Sequence, residues 1–305
     1  MKKENLEISV LARLKNLSRE RNEDYQLILT RYAIERFLYR LSCSKHQGSF
    51  ILKGAMLLFA HTKSGYRPTR DLDLLGFGAE SESSLKKIIS EICMEDVPND
   101  GVSYIPDTIT IIDIREESEY EGKRVNLPAY IGKTRIPIQI DIAFGDAVFP
   151  APETINYPTL LSFPEPHIRA YPLEAIIAEK IEAMISLGII NSRMKDFYDV
   201  YTLIESYNFN GEILSRSIAE TFTRRKTALP KNTPIVFSKE FADDNTKKKQ
   251  WAGFLRKTGL SNTGELDEVL KKISTCIQPI IDRLQNKEPF AFFWSAGGPW
   301  KKGTK

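Results

Sequence analysis

The 305-residue sequence predicts an α+β domain up to about residue 165, followed by a helical region. Two changes of pattern along the chain indicate this division. Strand-like and helical segments alternate as far as residue 144, and after a proline-rich stretch at 150–171 the apolar residues recur at helical spacing. A hydrophobic content of 42% and a charged content of 27% are typical of a globular protein in water.

The first segments predict helices, a short strand and a further helix. Residues 6–41 have apolar residues at helical spacing with no proline or glycine between them, which predicts two helices with a break near Asn22. Residues 49–59 form an apolar run that enters Gly54 and continues as the opening of a helix. Residues 66–76 then predict a strand, and residues 82–93 an amphipathic helix.

Three further strands are predicted at 108–114, 124–131 and 136–144, with the last two joined as a hairpin at Gly132. In the last strand, isoleucines at alternate positions share one face, and Asp141 lies on the other face with Gln139 and Ala143. The prolines at 150–171 predict an extended linker that ends the domain.

The second half predicts helices at 173–187, 193–207, 212–223 and 265–285, with a polar loop or short helical insertion between the last two. The tail from Pro289 carries several aromatic residues, which indicates docking onto a partner or onto the body of the protein. We therefore expect N-terminal helices at 1–45, an α+β core at 46–165, a helical C-terminal domain at 166–290 and an aromatic and basic tail at 291–305.

Bulk properties exclude several classes of protein. The net charge of +3 does not identify a partner, although it permits a local basic patch. The three cysteines include no C-x-x-C pair and no histidines at ligand spacing, so neither zinc nor a disulfide framework is predicted. The start lacks an apolar signal segment, and no run approaches the roughly 20 apolar residues of a membrane span. We expect a cytoplasmic protein with no membrane partner.

The pair Asp71 and Asp73 gives the clearest chemical signal. Residues i and i+2 of a strand point to the same face, so both carboxylates project into one small volume. Two like charges this close are unfavourable unless a cation lies between them. Arg67 or Arg70 just upstream is one candidate for that cation, and a divalent metal next to phosphate is the other.

Lys180 gives a second signal because it is centred on an apolar helical stripe. Such a lysine must either extend to the edge of the stripe or meet an anion, for which phosphate is the natural candidate. Asp196 and Asp199 are three residues apart, so they share one helix face and can both face Lys180. The stripe consists of Leu173, Ile176, Ile177, Lys180, Ile181 and Met184.

These motifs occur in the order found in the polymerase-β-like nucleotidyltransferases, with Lys53-Gly54-Ala55 followed by the Asp-x-Asp strand and then Asp141. With Glu174 to Lys180 and Arg193-x-x-Asp196-x-x-Asp199 added, the chain resembles the AbiEii/AbiGii family. That family supplies the toxins of type IV toxin–antitoxin and abortive-infection systems. The resemblance covers roughly residues 48–204 and implies a mixed-sheet core followed by a helical domain, bilobed with a cleft.

The resemblance also implies roles for individual residues. It implies a Mg²⁺ site, in which Asp141 acts as a ligand or helps to deprotonate the incoming hydroxyl. Thr69 is implied either to contact phosphate or to cap the strand end, and Ala55 takes a place usually held by Gly or Ser, which removes a hydroxyl contact to phosphate. The implied metal ligands are Asp71, Asp73 and Asp141. The implied catalytic set is these three with Lys180, Asp196 and Asp199. The implied nucleotide-binding set is Lys53, Gly54, Ala55, Thr69, Arg70 and Lys180.

The implied function is that of a Mg²⁺-dependent nucleotidyltransferase toxin that moves NMP from an NTP to an acceptor, the tRNA acceptor end, and so blocks translation and growth. A cognate AbiEi-like antitoxin and a part in phage defence are implied as well. Basic residues at 224–226 and 247–249 either follow an RNA backbone or form solvated surface. Two alternatives stay open: a small-molecule transferase of the antibiotic-inactivating type, and an inactive module that binds nucleotide or RNA.

Overall fold

The computed structural model describes residues 3–62, 67–78, 81–115, 121–145, 148–260 and 263–303. The chain divides into two compact units, with unit 1 formed by residues 1–146 and 152–171 and unit 2 by residues 147–151 and 172–305. Both helices and a mixed sheet are present, which confirms the predicted α+β class. Across the described ranges, no helix is long and apolar enough to cross a membrane.

Unit 1 begins with two helices, α1 (Lys3–Arg21) and α2 (Tyr25–Cys43), and the predicted break at Asn22 is confirmed. Asn22 has a positive φ of 51°, and the Asp24 side chain caps α2 by accepting a hydrogen bond from the Leu27 N–H at 2.9 Å. Two more helices follow, α3 (Gly54–Thr62) and α4 (Glu82–Cys93), and both lie where the sequence predicts helix.

An eight-stranded mixed sheet forms the centre of unit 1. Its strands are β1 (Phe50–Lys53), β2 (Asp71–Gly76), β3 (Ser103–Tyr104), β4 (Thr110–Arg115), β5 (Glu121–Ile131), β6 (Thr134–Phe144), β7 (Glu153–Asn156) and β8 (His167–Ala170). The order is β3-β5-β6-β2-β1-β8-β7, and β4 pairs with β5. The pairs β2–β6 and β1–β8 are parallel, whereas the other pairs are antiparallel.

The predicted hairpin is confirmed, with a two-residue turn at Gly132 and Lys133 between paired residues Ile131 and Thr134. In β6 the alternate isoleucines are buried, while Asp141 and Gln139 are half-buried on the opposite side. We call that opposite side the open face of the sheet. It is also the face on which Asp71 and Asp73 of β2 lie, because residues paired across neighbouring strands point the same way.

The proline-rich stretch differs from the prediction of a linker. It contains β7 and β8, which pair with each other, and β8 also pairs with β1 inside the main sheet. The prolines at 158, 164 and 166 lie between these two strands, where a missing N–H removes no sheet hydrogen bond. Prolines therefore limit the length of these strands without preventing them.

Unit 2 is mostly helical, but the prediction that it is helical throughout was wrong. Strands of two or three residues form a small antiparallel sheet in the order β11-β10-β9, and segments this short show no readable periodicity. The tract predicted as a polar loop or a short helical insertion contains two helices, which agrees with the second alternative. The elements are α5 (Leu173–Leu187), α6 (Met194–Ser206), β9 (Phe209–Asn210), α7 (Gly211–Arg224), α8 (Lys239–Asp243), α9 (Asn245–Thr258), α10 (Leu266–Gln285), β10 (Phe292–Trp294) and β11 (Trp300–Lys302).

The aromatic tail docks onto the body of unit 2, which resolves the alternative left open by the sequence. Trp294 is fully buried, and its Nε1 donates a hydrogen bond to the Ile204 carbonyl at 2.7 Å. Trp300 packs edge-on against Trp294, with ring centroids 5.3 Å apart. The tail therefore stabilises unit 2 through buried aromatic surface.

Candidate active site

Two rows of polar side chains cross the open face of the unit 1 sheet. The first, which we call the charged row, follows the pairing of Lys53 with Asp73 and of Asp73 with Asp141, and ends at Arg124 on β5. The second, which we call the amide row, consists of Asp71, Gln139 and Asn126. Side chains directly opposite on neighbouring strands lie about 5 Å apart at their Cβ atoms, so each row is contiguous. The fold thus brings the three predicted metal ligands onto one small surface.

Gly54 and Asp73 are in direct contact. A Cβ added to Gly54 would lie 1.9 Å from Asp73 Oδ2, and Gly54 also has a φ of +70°, which L-residues with a side chain rarely adopt. Gly54 is the first residue of α3, and carboxylates and phosphates are favoured at a helix N-terminus. The lack of a side chain at Gly54 therefore allows an anionic group to approach the start of the helix closely.

Asp141 is held by Arg124, a residue that the sequence reasoning missed. Arg124 Nε and Nη2 donate to the two Asp141 carboxylate oxygens at 2.8 and 2.9 Å, and Gln139 Nε2 is 3.3 Å from each oxygen. Hydrogen bonding to Asp141, together with the charges of Asp71 and Asp73, raises the pKa of Arg124. A signal was available, because a two-residue turn at Gly132 sets the register that pairs Arg124 with Asp141.

The donor set is chemically suited to Mg²⁺, which prefers carboxylate oxygens and keeps several waters or phosphate oxygens. The arrangement is incomplete, however, since in the part of the chain that the structure describes no three His, Cys, Asp or Glu side chains are placed to hold a metal together. Asp141 is instead paired with Arg124. Asp71 and Asp73 lie two residues apart on the same face of β2, beside Asp141, and coordination of a metal by these carboxylates stays a prediction.

The other predicted nucleotide-binding residues of unit 1 surround this surface. Lys53 is half-buried, and its ammonium lies 5.3 Å from the centre of the Tyr171 ring. Ala55 is buried, so only its backbone is available to a ligand. Thr69 is half-buried and Arg70 is exposed in the segment just before β2. Of the stretch that begins at Gly65, residues 65 and 66 lie outside the described residues.

Unit 2 holds a separate charged cluster on α5 and α6. Lys180 Nζ lies 2.6 Å from Asp196 Oδ1 and 2.7 Å from Asp199 Oδ2, so the lysine contacts both predicted aspartates. Arg193 Nε lies 2.8 Å from Asp196 Oδ2. Burial alone would raise the pKa of Asp196, but the charges of Lys180 and Arg193 outweigh burial and lower it. The Asp196 and Asp199 side chains are 2% and 0% exposed, whereas that of Lys180 is 15% exposed.

A mixed sheet whose open face carries an Asp-x-Asp pair beside a glycine-initiated helix is the arrangement that the sequence resemblance implies for a nucleotidyltransferase. The family model for the nucleotidyl transferase AbiEii toxin of type IV toxin–antitoxin systems matches residues 36–272. The chain belongs to this family. The predicted enzyme class and the predicted family are both confirmed.

Two crystal structures from Helicobacter pylori share the fold. One is the protein JHP933, with a TM-score of 0.51 and 16% identity over 87% of this chain and 95% of that protein. The other is a candidate nucleotidyltransferase, with a TM-score of 0.52 and 16% identity over 88% of this chain and 100% of that protein. No curated protein sequence matches the chain.

Proposed function

We propose that the chain is a Mg²⁺-dependent toxin that transfers NMP from an NTP to RNA, at the acceptor end of tRNA, and thereby blocks translation and growth. One observation carries the proposal: Asp73, in register with Asp141, lies directly against Gly54 at the start of α3. Carboxylates suited to a metal–phosphate complex are thus next to helix N–H groups suited to phosphate oxygens.

In the proposed reaction, an acceptor hydroxyl oxygen bonds to the α-phosphorus, and the bond from that phosphorus to the bridging oxygen breaks. Pyrophosphate leaves with the bonding electron pair. The N–H groups of Gly54 and Ala55 bind the triphosphate, since the first N–H groups of a helix have no partner within it. Lys53, in the charged row, supplies a positive charge beside them. Asp141 accepts the hydroxyl proton or, alternatively, acts as a metal ligand.

Asp71 and Asp73 would hold Mg²⁺, and Asp141 would be the third ligand in the alternative where it does not accept the hydroxyl proton. When bound, the ion supplies positive charge to the phosphate oxygens and to the leaving pyrophosphate. Because Arg124 binds both oxygens of Asp141, we assign Arg124 the role of orienting that carboxylate. Thr69 stays a predicted phosphate contact or strand cap.

Lys180 is proposed to contact the nucleotide, and Asp196 and Asp199 to position it. The partial exposure of Lys180 supports this assignment, because the two aspartates are inaccessible to any ligand. Ion pairs at 2.6 and 2.7 Å hold the ammonium group in one place. A positioning role predicts that Asp199→Asn changes the KM for NTP more than it changes kcat.

Membership of a type IV toxin–antitoxin family implies a cognate antitoxin. We propose that this partner is AbiEi-like, a DNA-binding repressor, and that the pair acts in abortive infection as a phage defence. Coexpression of such a partner is expected to restore growth of cells that produce this chain.

The proposal is tested with Asp71→Asn and Asp73→Asn, each incubated with the four α-³²P-labelled NTPs and total RNA, followed by separation on a gel. We expect the unsubstituted protein to label RNA of tRNA size. Each variant is expected to label it about a thousandfold more slowly, as loss of roughly 4 kcal/mol of transition-state stabilisation implies. Asp113→Asn is the matched control, because Asp113 is an exposed aspartate of β4 in the same sheet.

Each of the following results would contradict the proposal. If both variants retain transfer and growth inhibition, the Asp-x-Asp site is not the active site. Label on a small hydroxyl compound and none on RNA would indicate a small-molecule transferase of the antibiotic-inactivating type. Binding of NTP or RNA without transfer by the unsubstituted protein would indicate a regulatory module.

A further inference from the structure

A cavity of about 260 Å³ opens beside Asp71, entirely within unit 1. Its walls come from the start of α2, the segment before β2 and the open face of β5 and β6. The polar side chains around it are Gln26, Thr30, Arg70, Asp71, Asn126, Arg135 and Gln139. The sequence reasoning did not predict this cavity, and two of these seven residues, Asp71 and Arg70, were predicted to act in the site.

The chemistry of the lining is cationic and hydrogen-bonding. Arg70 is 68% exposed at its side chain, and its ion-pair contact among the described residues is a distant one, with Asp24 Oδ1 at 3.8 Å. Arg135 is exposed, and no acidic side chain within the described ranges pairs with it. A guanidinium presents a planar set of donors that matches the oxygens of a phosphate, so two of them at one cavity favour a phosphate-bearing ligand.

The position of the cavity separates it from the proposed triphosphate site. Asp73 contacts Gly54, whereas the cavity lies on the far side of Asp71, where the next paired residues are Pro137 and Pro128. In an in-line displacement, the attacking oxygen and the leaving oxygen lie on opposite sides of the phosphorus. If pyrophosphate leaves on the Gly54 side, then the acceptor enters on the side of this cavity.

The lining of the cavity and its opening to the surface suit the end of a chain. The cavity of about 260 Å³ opens to the surface, so one end of a ligand can occupy it while the rest continues outside. Two arginines line the cavity, which fits a ligand with more than one phosphate. In the amide row, Asn126 Nδ2 donates to Thr110 Oγ1 and Gln139 Nε2 donates to Asp141, so the two amides offer mainly their carbonyl oxygens, as acceptors, to such a residue.

We propose that this cavity is the acceptor subsite of the transferase and that it takes the 3′-terminal nucleotide of an RNA. Arg70 and Arg135 bind the backbone phosphates next to that nucleotide, while Gln139 and Asn126 hydrogen-bond to its sugar or base. Arg70, which the family resemblance assigns to the incoming NTP, is thereby assigned to the acceptor. The inference rests on the proposed function, because it names the second substrate of the same site.

The test uses the full chain with Arg135→Gln, Arg70→Gln and the double variant, assayed with total tRNA and each labelled NTP. We expect the KM for tRNA to rise about tenfold in each single variant, as loss of one charged hydrogen bond implies, with the KM for NTP unchanged. Arg135→Lys keeps the charge but loses the planar donors, so it is expected to recover the salt slope and only part of the affinity. Arg19→Gln is the matched control, because Arg19 is exposed on α1 and outside the cavity.

A second measurement does not need turnover. Filter binding of tRNA at several salt concentrations gives a slope of log K against log[salt], and each lost phosphate contact reduces its magnitude by about 0.7–0.9. We expect that reduction in each single variant and twice that reduction in the double variant, with no change in Arg19→Gln.

The outcomes separate the inference from the function on which it rests. If the double variant transfers NMP with an unchanged KM for tRNA and an unchanged salt slope of tRNA binding, the proposed acceptor subsite is wrong and the proposed transferase activity still holds. A rise in the KM for NTP alone would assign the cavity to the nucleotide, which also overturns the inference. If the unsubstituted protein transfers nothing, the proposed function fails, and the salt slope still decides whether the two arginines bind RNA.

Discussion

The sheet of unit 1 and the helix pair of unit 2 both bring aspartates next to cationic side chains, but they differ in access to solvent. In unit 1, Asp71, Asp73 and Asp141 are half-buried on an open sheet face. In unit 2, Asp196 and Asp199 are buried and share Lys180 as an ion-pair partner, and Asp196 also pairs with Arg193. The carboxylates of the first cluster are accessible to a ligand, whereas in the second cluster only the cationic side chains are.

The difference teaches how to assign a role to a charged cluster. Like charges on a half-buried but open face can be approached by a ligand, so a bound cation or a phosphate complex can add to the interactions that they already have. Buried charges need their partners for folding, since removing one partner leaves the others without compensation. Substitutions at the first site should therefore change activity, and substitutions at the second should change stability.

The largest stability effect is expected for Lys180→Met, which leaves Asp196 and Asp199 buried with one counterion fewer. We expect the free energy of unfolding to fall by about 3–5 kcal/mol. Urea unfolding followed by tryptophan fluorescence measures it, because all three tryptophans of the sequence, Trp251, Trp294 and Trp300, lie in unit 2.

Lys248→Met is the control for that substitution, because Lys248 pairs with a single exposed aspartate in the same unit. It is expected to change stability by at most about 0.5 kcal/mol. Adding Asp196→Asn and Asp199→Asn to Lys180→Met should restore part of the loss. Equal stability of Lys180→Met and the unsubstituted protein would remove the contrast between the two clusters.

A smaller stability effect with a large effect on activity is expected for Gly54→Ala. The left-handed backbone alone costs about 1–2 kcal/mol for a residue with a side chain. The added Cβ also displaces the Asp73 carboxylate, and misplacement by about 1 Å reduces the rate of transfer about a hundredfold.

Gly259→Ala provides the matched control for Gly54→Ala. Gly259 has a nearly identical φ of +72°, and nothing lies within 4 Å of its added Cβ. It should therefore lose similar stability and keep its activity. If the two alanine variants had the same rate of NMP transfer, the contact between Gly54 and Asp73 would have no part in the reaction.

The effects expected from pH have opposite signs in the two units. Burial raises the pKa of Glu35 to about 7, although Arg36 Nη2 lies 2.7 Å from Glu35 Oε1. The folded state then holds a proton that the unfolded state releases, so the free energy of unfolding decreases as pH rises from about 4.5 to 7. The pKa of Asp196 is lowered, so its stabilising contribution is lost as pH falls below 3.8, the ordinary value.

Glu35→Gln and Asp196→Asn separate these two contributions. Urea unfolding of each variant is measured across pH 3–8. Each substitution is expected to remove the pH dependence of stability that comes from its own carboxyl group and to leave the other pH dependence in place. Circular dichroism reports both units, and tryptophan fluorescence reports unit 2. The same pH dependence in both variants would contradict the opposite signs expected for the two carboxylates.

The sequence alone predicted most of the helices and the strands that carry the site. Helix α4 and helix α5 have the predicted bounds, because their apolar positions recur at a regular helical period. The proline-rich stretch and the small sheet of unit 2 were mispredicted, since pairing with distant strands outweighs weak local signals. The roles of the site residues stay predictions, and so does the cleft between two lobes.

Within the site, spacing along the chain determined that Asp71 and Asp73 share a face and that Asp196 and Asp199 can both reach one lysine. These are properties of strand and helix periods, which act over a few residues. Only the tertiary structure decided that β2 inserts beside β6, which places Asp141 next to Asp73, Arg124 beyond it and a cavity at Asp71. Strand order depends on contacts between residues far apart in sequence, and no local period encodes those contacts.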